Sequence, residues 1–187
     1  MKRLFAAALN IQRFFEQRQW QFCIIGGIAV LRWGEPRFTR DVDITLLTGF
    51  GREEGFIQLL LAAGYRERTP GAGIFALRSR VLLLDAPDGV PVDVALAGLP
   101  FEELTVERSS LFEFEPGCRL RTCSAEDLIV HKLFASRTLD LHDAEKVAVR
   151  QRGNLDWDYI ETQLGPLAEL KEDPEIMDEL AKLRRVS

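Results

Sequence analysis

The 187-residue sequence lacks the signatures of several large functional classes. It contains neither GxGxxG nor GxxxxGK[ST], so neither a dinucleotide-binding fold nor a Walker-type NTPase is supported. No nucleophile signature stands beside its two histidines, which disfavours a serine or cysteine hydrolase. Its three cysteines have no framework spacing and indicate reduced thiols in a cytoplasmic protein.

Long apolar runs are also missing. No stretch approaches the roughly 20 apolar residues of a membrane span, and the short run from Leu4 to Leu9 is interrupted by Asn10, unlike a signal peptide. We therefore expect a soluble, cytoplasmic protein with no membrane association. The net charge of −5 argues against a broad nucleic-acid-coating surface but leaves room for a local basic patch.

The predicted elements indicate an α+β half followed by a helical half, divided near residue 117. Strands are predicted at 22–25, 41–47, 65–68, 75–78, 80–84 and 90–96. Helices are predicted at 3–18, 27–33, 53–63, 124–137, 141–151, 157–164 and 174–184. Residues 101–106 and 109–116 are predicted to be irregular or short helix, and 138–140 to be a linker. The predicted domains are 1–117 and 118–187.

Three aspartates on two alternating strands form the main candidate site. Asp41 and Asp43 lie on one face of the strand 41–47, and Asp93 lies on the polar face of the strand 90–96. Carboxylates on neighbouring strands hold Mg²⁺ when substrate phosphates complete its shell, and they repel one another without a cation. Two such ions stabilise a phosphoryl or nucleotidyl displacement. The alternative is a surface strand whose polar side contains acids.

Glycines and arginines near this strand suggest phosphate binding. Gly26 and Gly27 follow an apolar strand and open a short helix, where backbone N–H groups can meet phosphate, although a plain tight turn is the alternative. Arg37 matches phosphate geometry or is simply solvated or salt-bridged. A second basic group is interpreted as an ordinary solvated face rather than as a guide for an acceptor: Arg66, Arg68, Arg78 and Arg80.

A lysine lies among apolar residues of the helix predicted at 124–137. At 100° per residue, Lys132 falls between Leu128 and Ile129 on the helical wheel rather than on a polar face. Its ammonium group therefore either snorkels out to water or points into a site that needs positive charge.

These motifs resemble a known superfamily. The order Gly26-Gly27, Asp41-x-Asp43 and then Asp93 resembles the nucleotidyltransferases related to DNA polymerase β. The segments GGIAVLRWGEPRFTRDVDITL and SAEDLIVHKLFASRTLDLHDAEKV are similar to AbiEii-type toxins and minimal nucleotidyltransferase-like proteins of bacteria. The resemblance covers about residues 20–150. It implies a mixed central β-sheet flanked by helices, followed by a helical part, 118–187, that packs over the cleft.

The resemblance also implies roles for individual residues. It implies that Asp41, Asp43 and Asp93 bind Mg²⁺, with Mn²⁺ as the alternative, and that Asp93 helps to activate the attacking group. Lys132 joins these aspartates in the implied catalytic set. The implied nucleotide-binding residues are Gly26, Gly27, Arg37, Thr39, Lys132, Arg137, Asp140 and Asp143. Two positions depart from the superfamily pattern, since Gly27 replaces a usual serine and Leu139 a frequent basic residue.

The expected function is therefore metal-dependent transfer of a nucleoside monophosphate from an NTP, such as ATP, to an acceptor hydroxyl. The acceptor is an RNA end such as tRNA, a protein or a small molecule, and the resemblance suggests a toxin–antitoxin or phage-defence role with an antitoxin partner. One alternative is a non-catalytic nucleotide-binding or antitoxin-like module on the same fold. A metal-dependent phosphohydrolase or nuclease ranks third, because a Gly-Gly turn before Asp-x-Asp suits a triphosphate better than a phosphodiester.

Overall fold

The computed structural model describes residues 1–186, which contain seven strands and nine helices. The strands are β1 (Phe22–Ile24), β2 (Val42–Leu47), β3 (Arg66–Glu67), β4 (Val81–Asp85), β5 (Pro91–Ala97), β6 (Ser110–Glu115) and β7 (Cys118–Thr122). The helices are α1 (Lys2–Gln17), α2 (Gly26–Trp33), α3 (Glu53–Ala62), α4 (Ala72–Ser79), α5 (Pro100–Glu107), α6 (Ala125–Ala135), α7 (Thr138–Arg150), α8 (Trp157–Lys171) and α9 (Glu175–Val186). The predicted α+β class is confirmed.

The chain forms two compact units. The first, called the sheet unit, comprises Met1–Ile28 and Phe38–Thr122 and contains all seven strands. The second, called the helical unit, comprises Ala29–Arg37 and the chain from Cys123 onward, with α6 to α9. None of the helices within residues 1–186 combines the length and the apolar character that a membrane crossing requires.

The sheet is mixed, as the resemblance implied. Its strand order is β3-β4-β5-β2-β1-β7-β6. The central strand β2 pairs in parallel with β5 and antiparallel with β1, and β1 pairs in parallel with β7. In β2 the residues Val42, Ile44 and Leu46 are buried on one face, and on the other face Asp43 is half-buried while Thr45 is fully buried. The sheet therefore carries the aspartates on its less buried side.

Apolar residues at helical spacing attach α1 to the sheet unit. Leu4, Ala8, Ile11 and Phe15 are buried at intervals of three and four residues, so one stripe of the helix faces the core. The Phe15 ring lies 5.1 Å from that of Phe22 at the start of β1. Burial of such large side chains contributes about 1.5–3 kcal/mol each.

The helical unit begins at a well-capped helix. The Ser124 hydroxyl accepts a hydrogen bond from the Asp127 backbone N–H at 3.1 Å, as the capping motif predicts. The helix α8 continues past Pro166 and ends at Lys171, so the predicted end at residue 164 is wrong. Leu164 and Leu167, on either side of this proline, are both buried. Packing of this apolar face outweighs the one backbone hydrogen bond that proline removes.

Three further local predictions are wrong. Residues 75–78 belong to α4 rather than to a strand, because Ala72 and Ala76 are buried one helical turn apart. Residues 109–116 are not irregular, since β6 and β7 form a hairpin that turns at Gly117, with φ +80°. The predicted linker 138–140 is the first turn of α7.

Candidate active site

Neighbouring strands bring the three candidate metal ligands together. β2 and β5 pair in parallel with Asp43 opposite Asp93, so both side chains leave the same face of the sheet. Asp41 stands immediately before β2. Carboxylate oxygens of the three residues all lie within 4.8 Å of one another, and each residue is half-buried. Three oxygen donors at this separation suit a hard divalent cation such as Mg²⁺.

The turn between β1 and α2 lies against this cluster. The Ile25 backbone N–H donates to the Asp43 carbonyl oxygen at 2.9 Å, and the Gly27 N–H donates to Asp43 Oδ2 at 3.3 Å. Gly26 has a φ of +59°, and a Cβ there would lie 1.9 Å from Asp43 Oδ2. Position 26 therefore requires glycine for both its backbone conformation and its closeness to the carboxylate.

Thr39 explains why no serine stands at position 27. Its Oγ1 lies 2.2 Å from the place where a Cβ on Gly27 would be, and the residue is buried. The same hydroxyl donates to Asp41 Oδ1 at 3.0 Å. A serine at position 27 would collide with Thr39, so in this chain Thr39 provides a hydroxyl at that point of the turn.

A coupled substitution tests this contact. We expect Gly27→Ala to lower the free energy of unfolding by about 2 kcal/mol, because the added methyl overlaps Thr39. In the Thr39→Gly background the same change should cost at least about 1 kcal/mol less, because the opposing side chain is gone. Urea denaturation of the four proteins gives the coupling energy. Additive effects would show that the two positions do not compete for space.

The third carboxylate is held by an arginine that sequence reasoning assigned to a solvated face. Arg68 Nη2 donates to Asp93 Oδ1 at 2.5 Å, and Arg80 Nη1 donates to Glu53 Oε1 at 2.5 Å. The solvated interpretation is therefore wrong for these two arginines. No local signal in the sequence identifies the Arg68 contact, because it depends on β3, β4 and β5 being neighbours.

The other predicted site residues form an ion-pair network in the helical unit. Lys132 Nζ lies 2.7 Å from Asp140 Oδ1 and 2.8 Å from Asp143 Oδ2. Arg37 donates to both oxygens of Asp143, each at 2.7 Å, and Arg137 Nε donates to Asp140 Oδ2 at 2.5 Å. Three cations and two anions give the network a formal charge of +1. Lys132 is only 6% exposed, which excludes the snorkelling alternative.

The two aspartates of this network are stabilised in their ionised form. Burial raises the pKa of Asp140, but hydrogen bonds from Arg137 and Lys132 outweigh burial and leave the pKa lowered. For Asp143, burial likewise raises the pKa, and hydrogen bonds from Arg37 and Lys132 outweigh it. Both carboxylates therefore stay charged through the neutral and mildly acidic range.

These shifts predict a loss of stability in acid. A lowered folded-state pKa adds stability that is complete above the unfolded-state value of about 3.8 and disappears as the pH falls through the folded-state value. We therefore expect the free energy of unfolding to drop between about pH 5 and about pH 3, measured by urea denaturation. The drop should be smaller in Asp140→Asn/Asp143→Asn. An equal drop in this variant would place the acid sensitivity elsewhere in the chain.

Most of the chain matches the model of a known protein family. The family model described as "Nucleotidyl transferase AbiEii toxin, Type IV TA system" matches residues 15–153. No curated protein matches the sequence.

Among solved structures, similarity extends over most of the chain. A nucleotidyltransferase-like protein from Paracoccidioides brasiliensis is 15% identical, with a TM-score of 0.55, over 95% of this chain and 92% of that one. The antibiotic-resistance factor ANT(2'')-Ia is 14% identical, with a TM-score of 0.59, over 90% and 92%. The lincosamide antibiotic adenylyltransferase LnuA is 18% identical, with a TM-score of 0.53, over 76% and 94%. At these identities the likeness establishes the nucleotidyltransferase fold.

Proposed function

We propose that this chain, which belongs to the AbiEii nucleotidyl transferase toxin family, transfers a nucleoside monophosphate from an NTP to an acceptor hydroxyl in a Mg²⁺-dependent reaction. The observation that carries the proposal is the cluster of Asp41, Asp43 and Asp93, whose carboxylate oxygens lie within 4.8 Å of one another beside the glycine turn. Arg68 offsets one of these three negative charges, and the two that remain uncompensated favour the binding of a cation.

Asp41, Asp43 and Asp93 would hold Mg²⁺, or Mn²⁺ in its place. The bound ion would offset negative charge that develops on the phosphate oxygens during transfer. The acceptor oxygen forms a bond to the α-phosphorus, the bond from that phosphorus to the bridging oxygen breaks, and pyrophosphate leaves. Asp93 accepts the proton of the attacking hydroxyl, which makes it the general base.

Backbone and side-chain donors would bind the phosphates. The turn at Gly26 and Gly27 would lie beside the triphosphate, and Thr39, which packs against Gly27, would add a hydroxyl there. In the helical unit, the formal charge of +1 supports a nucleotide-binding role for the ion-pair network of Arg37, Lys132, Arg137, Asp140 and Asp143.

The family description supports a biological role as the toxin of a toxin–antitoxin pair with an antitoxin partner. A cytoplasmic location and a role in phage defence are part of the proposal. An RNA end such as tRNA, or a protein, suits that role as acceptor. A small-molecule acceptor has separate support, since LnuA is an antibiotic adenylyltransferase and was solved with lincomycin bound.

The test is label transfer. The protein is incubated with Mg²⁺, each α-labelled NTP in turn, and total tRNA or a cell lysate. We expect label to appear on one class of acceptor and to disappear with Asp41→Ala/Asp43→Ala. Absence of transfer under every condition, or undiminished transfer by the double variant, would contradict the proposal.

A non-catalytic nucleotide-binding module remains the second candidate. The observation in its favour is that Lys132 and Arg37 are paired with Asp140 and Asp143 in this structure, so cations proposed for phosphate binding already have anionic partners. Calorimetry distinguishes the candidates, because metal-dependent NTP binding without turnover supports the module and turnover supports the transferase.

A further inference from the structure

Arg68 lies in the same row of the sheet as two of the carboxylates. Its backbone N–H donates to the Leu83 carbonyl oxygen at 3.1 Å. Leu83 on β4 is the register partner of Asp93 on β5, and Asp93 is in turn the partner of Asp43 on β2. Strand pairing therefore places a long cationic side chain within reach of the carboxylate cluster.

The guanidinium of Arg68 is fixed through one nitrogen, Nη2, which donates to Asp93 Oδ1 at 2.5 Å and to the Leu84 carbonyl oxygen at 2.9 Å. Its buried Nε has no hydrogen-bond partner and lies 3.6 Å from Asp85 Oδ1, at ion-pair distance only. The Arg68 and Asp93 side chains are only 29% and 27% exposed. A partly buried arginine with these contacts restrains the carboxylate that it binds, unlike a mobile arginine in water.

The contact also changes the charge of the cluster. Asp41, Asp43 and Asp93 together carry a formal charge of −3, and the adjacent guanidinium reduces the local charge to −2. A carboxylate has two oxygens, so Asp93 Oδ1 can accept from Arg68 while the group still offers a ligand oxygen to a cation. Arg68 can therefore hold Asp93 in place without consuming its capacity to bind metal.

We propose that Arg68 is a positioning residue that holds the Asp93 carboxylate toward Asp41 and Asp43, so that the three oxygens are arranged for a divalent cation before it binds. The inference rests on the metal site of the proposed function. Hydrogen-bond partners of metal-binding groups typically contribute about 10- to 100-fold in metal affinity or activity. A positioning role predicts that loss of Arg68 weakens cation binding, whereas simple repulsion between like charges predicts that it strengthens binding.

Mn²⁺ binding to the full chain separates these outcomes without requiring an acceptor. Electron paramagnetic resonance gives the Mn²⁺ dissociation constant for the wild type, Arg68→Gln and Arg68→Lys. The matched control is Arg66→Gln, which removes an exposed arginine of β3 two residues before Arg68. We expect Arg68→Gln to bind about tenfold more weakly. Arg68→Lys, which keeps the charge and a donor, should stay within about threefold of the wild type, and Arg66→Gln should match it.

A double-mutant cycle tests whether the effect passes through Asp93. In an Asp93→Asn background, Arg68→Gln should cause no further loss of Mn²⁺ affinity. In label transfer, Arg68→Gln should lower kcat more than it changes KM for the NTP, a split that general destabilisation would not produce. Circular dichroism checks that each variant folds. If Arg68→Gln does not fold, Arg68→Met, which keeps the aliphatic stem but has no donor, replaces it in the cycle.

Several results would overturn the positioning role. Tighter Mn²⁺ binding by Arg68→Gln than by the wild type would show that Arg68 acts as a repelling charge, and equal binding would show that Arg68 does not arrange the site. Persistence of the loss in Asp93→Asn would show an effect that does not pass through Asp93. A wild type that binds Mn²⁺ but transfers no label contradicts only the proposed function. A wild type that binds no Mn²⁺ removes the metal site and this inference together.

Discussion

Asp43→Asn is expected to reduce nucleotidyl transfer by about 100- to 1,000-fold, because it removes a carboxylate that would hold the cation, and the cation would offset the phosphate charge. Asparagine keeps the volume of the side chain, and its carbonyl oxygen can still accept the hydrogen bond from Gly27 N–H. Asp43 is also the strand partner of Asp93. The substitution thus changes the charge of the cluster while the surrounding contacts persist.

The same variant should fold at least as well as the wild type. In the absence of a cation, three carboxylates within 4.8 Å repel one another, so neutralising one of them relieves that repulsion. We expect an unchanged or higher melting temperature without metal, together with a smaller stabilisation by added Mg²⁺. Lower activity with undiminished stability is typical of a residue kept for function rather than for folding.

Label transfer measures the expected loss of activity, and thermal denaturation of the same preparations measures the melting temperature with and without Mg²⁺. Glu54→Gln is the matched control, since it removes one exposed carboxylate of the sheet unit from the first turn of α3, away from the cluster. Its transfer rate should equal that of the wild type. Transfer by Asp43→Asn within tenfold of the wild-type rate would contradict a metal-holding role for this residue.

Local patterns predicted the elements that carry this cluster. The alternation in β2 and in β5 follows from side chains leaving opposite faces of a strand, and it is sufficient to assign Asp43 and Asp93 to the polar faces of these strands. The pairing of β2 with β5 joins residues fifty positions apart, such as Asp43 and Asp93, and has no local signal. The resemblance to nucleotidyltransferases, rather than periodicity, indicated that these two strands meet.

The wrong secondary-structure predictions include a short apolar run whose spacing is compatible with both a strand and a helix. The sequence predicts a strand at 75–78, but these residues lie in α4, where Ala72 and Ala76 are buried and Phe75 is exposed. Arg68 was misinterpreted for a different reason. Its partner Asp93 is two strands away across the sheet, so only the strand order shows that the arginine is bound.

The helical wheel predicts that Lys132 lies among apolar residues, but it does not predict the partners of Lys132. The wheel placed this lysine among apolar residues, and it is indeed buried. Its partners Asp140 and Asp143 lie on the next helix, α7, and the turn at Ser136 with φ +56° brings that helix back toward α6. The resemblance indicated these residues, but their ion pairing depends on how α6 and α7 pack, which no local pattern predicts.

Loss of Lys132 should destabilise the chain more than loss of any exposed lysine. Lys132→Met removes a cation that contacts two buried carboxylates at 2.7 and 2.8 Å, and it leaves Asp140 with the largely exposed Arg137. Removing one partner of a buried ion pair costs about 3–5 kcal/mol, and the remaining arginines place this case near the lower end. We expect a loss of about 3 kcal/mol in the free energy of unfolding, measured by urea denaturation.

The matched control for Lys132→Met is Lys146→Met in the same helical unit. It removes a more exposed ion pair, in which Lys146 Nζ lies 3.4 Å from Glu35 Oε2. Such surface pairs contribute about 0–1 kcal/mol. Adding Asp140→Asn to Lys132→Met should recover part of the loss, because it removes the carboxylate left with the weakest partner. Equal effects of Lys132→Met and Lys146→Met, or no recovery in the double variant, would show that Lys132 acts through packing of its aliphatic stem. A role in nucleotide binding would then need separate evidence from NTP affinity in a variant that still folds.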